Sequence, residues 1–167
     1  MKLKCEVFVL KEVNTLFLKI AVFLMGLPVL ALCIVGIIKL ASDLVNPDYW
    51  YILYPGILIM YLSVIPYFIA LYQTFRLLNY IDNNQAFSDM SVLVLKKIKY
   101  CAITISILYA LMMPFVYMAA EIDDAPGLII VGMVPIFASM VIAVFAAVLQ
   151  KLLKEAIDIK SENDLTV

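Results

Sequence analysis

Residues Arg76–Lys99, RLLNYIDNNQAFSDMSVLVLKKIK, are the polar middle of a chain of 167 residues and decide how it folds. They separate two strongly apolar halves of similar length and contain four of the twelve basic residues. Asp82 to Phe87 are rich in turn-forming residues. Ser88 followed by Asp89 is typical of a helix start. A hydroxyl accepts a hydrogen bond from a free N–H group of the first turn, and a carboxylate is stabilised by the positive end of the helix. The stretch therefore predicts two helix ends joined by a turn.

The composition on either side of this stretch is that of a membrane protein. Hydrophobic residues make up 66% of the chain, charged residues make up 15%, and the mean hydropathy is +1.06. These values lie far outside the range of soluble domains. The net charge of -1 gives no overall attraction to nucleic acid, so we expect no direct nucleic-acid partner.

Four apolar segments are long enough to cross a bilayer. The first, residues 20–38, is uncharged between Lys19 and Lys39, and at about 1.5 Å per residue it covers roughly 28 Å, close to the hydrocarbon thickness. The other predicted spans are residues 51–72, 100–119 and 128–149. Cleavage of the first run as a signal peptide is rejected, because the run is too long and no small-residue cleavage site follows it. Ahead of it, residues 1–15 predict a short interfacial helix.

The predicted fold class is an all-α integral membrane protein, with four transmembrane helices as two hairpins and with cytosolic helix extensions. It forms a single domain over residues 1–167. All basic residues except Lys39 fall on the side of the two termini, so the positive-inside rule predicts cytosolic termini. The basic residues expected to set this topology are Lys19, Arg76, Lys96, Lys97, Lys99 and Lys151.

The helical pattern does not stop at the predicted membrane boundary on the inner side. Apolar residues continue through a hairpin at residues 73–99, and a tail at residues 150–167 keeps one apolar face. Two arms of about nine residues would each reach roughly 14 Å into the cytosol. Packing within the chain or at the lipid interface is the simpler use of these residues, and docking of a protein partner is the alternative. The candidate partner-binding residues are Leu78, Ile81, Phe87, Leu152, Leu153 and Ile157.

A stripe of small residues lies in the fourth span. Ser139, Ala143 and Ala147 recur at intervals of four, a pattern that permits close helix packing. Packing within the chain is the simpler expectation, and a homodimer would use the same stripe.

The sequence offers no recognisable catalytic chemistry. It has no histidine, and its three cysteines are isolated. The acidic turn at Glu121, Asp123 and Asp124 lacks the spacing of a calcium loop. No Asp, Glu, Lys, Arg or His lies in the central part of a predicted span, which argues against a proton relay or an ion-coupled carrier. We therefore expect no enzyme activity, no cofactor and no metal site.

Four short motifs carry a family resemblance: Tyr80-Ile81-Asp82, Ala86-Phe87-Ser88, Lys97-Ile98-Lys99-Tyr100 and the ending Glu162-Asn163-Asp164-Leu165-Thr166-Val167. Through them the chain resembles, over essentially its whole length, family 2975 of the domains of unknown function. The resemblance implies a small bacterial four-span protein of the cytoplasmic membrane, often encoded beside a small helix-turn-helix regulator of the Cro/repressor kind. It supplies no catalytic residue.

Two hypotheses of function follow. The first is a non-catalytic inner-membrane protein, regulatory in role, whose cytosolic layer binds a partner such as that helix-turn-helix regulator. The alternative is a small transport protein, or an immunity protein against bacteriocins or amphiphiles, in which the proline-containing helices line a path. The polar residues available for such a lining are Ser63, Thr104, Ser106 and Ser139.

Overall fold

The computed structural model describes residues 2–42, 50–83 and 85–165, and only the backbone in parts of the first two ranges, including residues 2–14 and 50–53, and at residues 164–165. The predicted connection around residues 43–49 and the side chains of Lys2, Lys4, Lys11 and Lys39 lie outside the described residues. The described chain forms four helices, which are α1 (Lys2–Ser42), α2 (Trp50–Asp82), α3 (Asp89–Ile122) and α4 (Gly127–Leu165).

All four helices are long and apolar enough to cross a membrane, which confirms the predicted fold class. Each predicted span lies within one helix. The helices are much longer than the spans: α1 has 41 residues and α4 has 39. At about 1.5 Å per residue both measure about 60 Å, twice the hydrocarbon thickness. The separate interfacial helix expected at residues 1–15 is wrong, because α1 runs without a break from Lys2 into its span.

The turn between α2 and α3 is fixed by serine hydroxyls, as the sequence predicted. Ser88 has extended backbone angles and caps α3, its Oγ accepting from Ser91 N at 3.4 Å and donating to Gln85 O at 2.8 Å. Ser91 Oγ donates to the same carbonyl at 3.2 Å, and Ser91 is fully buried. The start of α3 is therefore hydrogen-bonded to Gln85, in the connection that follows α2.

At the opposite end, the predicted acidic turn joins α3 to α4. Asp123 N donates to Ala119 O at 3.0 Å, and Ala125 N donates to Ala120 O at 2.9 Å. Asp124 takes a positive φ of 51°, a conformation that aspartate tolerates better than most residues. A complete αα-hairpin results.

The helices lie in a row in chain order rather than in a closed bundle. In the described ranges, α1 packs on α2, α2 on α3 and α3 on α4, and α1 reaches neither α3 nor α4. Gly132 allows the close approach of α4 to α3, since a Cβ there would lie 3.2 Å from Met113 Sδ and from Val116 Cγ1. Among the described residues, helix α1 thus packs on one neighbour, α2.

The tightest packing lies at the end of the molecule that carries the turn at residues 83–88, which we call the basic end. Val94 and Ile98 of α3 form a buried cluster with Ala146 of α4, and Leu77 and Tyr80 of α2 pack against it. Three helices therefore meet there, which makes the basic end a structural core of its own.

Candidate functional site

The antiparallel order of the helices brings four segments together at the basic end. They are the last turns of α2, the first turns of α3, the last turns of α4 and the part of α1 around Lys19. This is the region in which the sequence placed both the partner-binding and the topology-setting residues. Its chemistry is that of amines, amides, carboxylates and exposed apolar side chains.

An ion pair attaches α1 to this end. Lys19 Nζ of α1 pairs with Asp82 Oδ2 at the last residue of α2, and both side chains are about three quarters buried. The lysine also lies over the Phe75 ring, 5.7 Å from its centroid. Farther along the interface, Tyr67 OH donates to Met25 O at 2.9 Å and Tyr61 OH donates to Cys33 O at 2.9 Å. The ion pair is the one charged link between the two helices among the described residues.

A second polar link joins α3 to α4. Lys99 Nζ donates to Gln150 Oε1 at 3.2 Å and lies 5.3 Å from the centroid of the Tyr100 ring. No carboxylate of the described chain lies within salt-bridge distance of this amine. Lys99 is half-buried, and no described carboxylate neutralises its charge, in contrast to Lys19.

The other predicted topology-setting residues lie at the same end. Arg76 Nε donates to Tyr80 OH at 2.9 Å within α2. Lys96 and Lys97 are exposed on α3, and Lys151 is exposed on α4, 3.9 Å from Glu155. The structure thus gathers these cations at one end of the molecule. Which side of the membrane that end faces stays a prediction.

The candidate partner-binding residues divide into three groups. Phe87 is 63% exposed and Leu152 is 56% exposed, whereas Ile81, Leu153 and Ile157 are half-buried. Leu78 requires a correction, because it is only 6% exposed and is a packing residue that no partner can contact. Among the exposed apolar residues of α3 and of the last turns of α4 at this end, the prediction missed Met90, Leu93 and Ile159. Helical register could have indicated that Leu93 is exposed, because its neighbour Val94 lies on the buried face of α3.

The small-residue stripe of α4 lies mostly inside the chain. Ser139 and Ala143 are buried, as is Ala146, while Ala147 is half-buried. Because α3 is the helix that packs on α4, packing within the chain describes these residues. A homodimer through Ser139 and Ala143 would first require separation of α3 from α4. The buried small residues of α4 are those at positions 139, 143 and 146, which corrects the register of the predicted stripe.

The four hydroxyls considered for a polar path do not converge on one. Ser63 donates to Met60 O at 2.7 Å, Thr104 to Tyr100 O at 2.9 Å and Ser139 to Pro135 O at 2.7 Å, all within their own helices. Ser106 donates across to Ile136 O at 3.4 Å. Each hydroxyl therefore satisfies a backbone carbonyl, which is the usual role of such residues in membrane helices.

One buried polar group was missed. Gln73 is 6% exposed, and its Oε1 has no hydrogen-bond partner among the described residues. It shares a helix face with Leu77 and Tyr80, one and two turns farther along α2. Burial of an amide oxygen is unfavourable by about 1–3 kcal/mol where no hydrogen bond compensates it.

Comparison with known proteins supports the membrane assignment. A profile of the family described as "Protein of unknown function (DUF2975)" matches residues 38–167. The chain is 62% identical over 160 residues to the "Uncharacterized membrane protein YoaS" of Bacillus subtilis (strain 168), covering 95% of this chain and 100% of that relative. No solved structure shows significant similarity.

Proposed function

The chain belongs to the DUF2975 family of membrane proteins, and from its geometry we propose that it is a non-catalytic bacterial inner-membrane protein whose basic end binds a cytosolic protein. In this proposal both termini and the basic end face the cytosol, because the cations gathered there follow the positive-inside rule. A small helix-turn-helix regulator is the candidate partner, and its motivation is the genetic neighbourhood that the family resemblance implies.

The observation that carries the proposal is the pairing of long helices with exposed apolar side chains beyond the membrane. Helix α3 has 34 residues, and about 20 of them span a bilayer. If Ile122 lies at the outer boundary, residues 89–102 extend past the inner one. Phe87, Met90 and Leu93 are then in water and more than half exposed, which is unfavourable unless a partner covers them.

Helix α4 contributes in the same way. It has 39 residues, so its last turns project from the membrane together with the start of α3. Leu152 and Ile159 are 56% and 61% exposed and are separated by two helical turns. An amphipathic helix of the partner would fit such anchors, because helix recognition uses apolar residues at these intervals.

The packing of the basic end also supports binding. Ser88 caps α3 next to Phe87, and Leu93 adjoins Val94 of the buried cluster formed by Val94, Ile98 and Ala146. A surface that is already ordered loses little conformational entropy when a partner docks. Binding would keep the regulator at the membrane and away from DNA, so control of its release is the regulatory step in this proposal.

The test is membrane recruitment of the neighbouring regulator, coexpressed with the full chain and quantified in the membrane fraction. We expect Phe87→Ser combined with Leu152→Ser to reduce recruitment at least tenfold, since each substitution removes an apolar anchor of about 1.5–3 kcal/mol. The matched control is Phe145→Ser with Val148→Ser, which changes exposed apolar residues within the predicted fourth span.

Recruitment that fails even with the unmodified chain would refute the regulator as partner. Equal recruitment by the two double variants would refute the basic end as the binding surface. A further variant lacking residues 150–167 separates the contribution of α4 from that of α3.

The alternative of transport or immunity gains no specific support from the described residues. A path for an amphiphile would need polar groups that converge on a cavity, whereas the four candidate hydroxyls bind backbone carbonyls. We therefore retain binding of a cytosolic protein as the proposed function.

A further inference from the structure

A second feature of the molecule lies at the membrane boundary, between α3 and α4. An apolar groove of about 380 Å³ runs along these helices and is open to the side. Its walls include Ile103 and Ile107 of α3 with Met140, Val144 and Ala147 of α4, and Lys99 closes one end. Ile107, Met140 and Val144 are each more than half exposed, so in a membrane they face the acyl chains.

The charge at the end of the groove distinguishes it from another interhelical groove. Between α1 and α2 a mostly apolar groove of about 350 Å³ is lined by Gly26, Leu71 and Phe75, among others. The cation near that groove is Lys19, which Asp82 neutralises. Lys99 instead bonds the neutral amide of Gln150, so the α3–α4 groove ends in a positive charge that has no counterion in the described chain.

We propose that the α3–α4 groove is a binding site for an anionic phospholipid, with an acyl chain along the apolar walls and the phosphate on Lys99. Lys99 directly precedes the predicted third span, the level at which lysines meet lipid headgroups. Basic pockets between transmembrane helices commonly bind anionic headgroups. This inference does not depend on the proposed protein partner.

Neighbouring cations strengthen the headgroup position. Lys96 lies one turn before Lys99 on α3, and Lys151 lies one turn beyond Ala147 on α4. Both are exposed, and the contact of Lys151 with Glu155 is a loose pair at 3.9 Å between mostly exposed side chains. Lys96 and Lys151 would thus add longer-range attraction, while Lys99 makes the direct contact with the phosphate and Gln150 supplies an amide donor through its nitrogen.

The experiment is native mass spectrometry of the full chain in a non-ionic detergent, titrated with phosphatidylglycerol or phosphatidylcholine of identical acyl chains. We expect phosphatidylglycerol to bind about tenfold more tightly, and Lys99→Gln to remove that preference, because a hydrogen bond to a charged group contributes about this factor. The matched control is Lys97→Gln, an equal charge change two residues away, which should leave the preference intact.

A second variant keeps the charge and fills the groove. Ala147→Phe should reduce binding of both lipids, since the side chain occupies the space of the acyl chain. Circular dichroism and the elution volume establish that each variant is folded. Addition of glycerol phosphate distinguishes a lipid from a free anion, because the soluble headgroup should not compete at equal concentration.

Four results would overturn the inference. These are equal affinity for the two lipids, equal effects of Lys99→Gln and Lys97→Gln, unchanged lipid binding by Ala147→Phe, and full competition by glycerol phosphate.

Discussion

Replacing Asp82 by lysine is expected to weaken the docking of α1 on α2. The change removes the ion pair with Lys19 and places two cations together at a site that is about three quarters buried. The burial of this ion pair is intermediate between that of a surface pair and that of a fully buried pair. We therefore expect the free energy of α1 docking to become less favourable by about 2 kcal/mol. No other helix compensates, since α1 packs only on α2 in the described ranges.

Thiol cross-linking measures this docking directly. A Cβ at Gly26 would lie 3.7 Å from Leu71 Cδ1, so cysteines at these two positions should cross-link efficiently with a short reagent. The yield should fall sharply with Asp82→Lys and recover in the charge swap Lys19→Asp with Asp82→Lys. Asp158→Lys, an equal change on exposed α4, is the control. An unchanged yield with Asp82→Lys would show that the ion pair does not hold α1.

Reversal of three lysines at the membrane boundary is expected to disturb topology. Lys96 and Lys97 are exposed, and Lys99 is half-buried at the start of the predicted third span. Each basic residue near an anionic membrane surface contributes about 1 kcal/mol of attraction to that surface. Replacing all three lysines by glutamate should therefore disfavour the cytosolic location of the α2–α3 turn by about 3 kcal/mol or more. A phosphatase reporter fused after Val167 should gain activity, because it acts only outside the cytosol.

Apolar substitutions at the same end provide the comparison. Ile81→Ser and Phe87→Ser change packing or a binding surface but leave the cations in place, so the reporter should remain inactive. Identical behaviour of the charge-reversed and apolar variants would contradict the assignment of these lysines to topology.

Local signals predicted the basic end well. The turn at residues 82–87 and the capping of α3 by Ser88 follow from hydroxyl and carboxylate chemistry within a few residues, and the structure confirms both. The number of helices that could span a membrane follows from the length and composition of the apolar segments, and the structure confirms that number in the described residues. Such features depend on the residues near them and not on the rest of the fold.

Long-range packing was beyond the sequence. The sequence predicts that Lys19 frames a span and that Asp82 lies in a turn, yet the two residues pair across 63 positions of the chain. The helical period places Leu78 on an apolar face of α2. Whether that face meets another helix or water depends on the order of the helices in the row, and the structure shows that Leu78 is buried. In the same way, the sequence predicts close packing by small residues of α4. Only the packing of α4 on α3 shows that Ala146, rather than Ala147, is buried.

Labelling at Phe87 tests most directly whether the basic end projects into the cytosol and is accessible there. In a chain whose cysteines at positions 5, 33 and 101 are replaced by alanine, Phe87→Cys would be treated with a membrane-impermeant maleimide in right-side-out and in inverted vesicles. Asp123→Cys, exposed in the turn at the opposite end, is the control of opposite orientation. We predict labelling of residue 87 only in inverted vesicles and of residue 123 only in right-side-out vesicles. Labelling of residue 87 in right-side-out vesicles would contradict the orientation and, with it, a cytosolic partner.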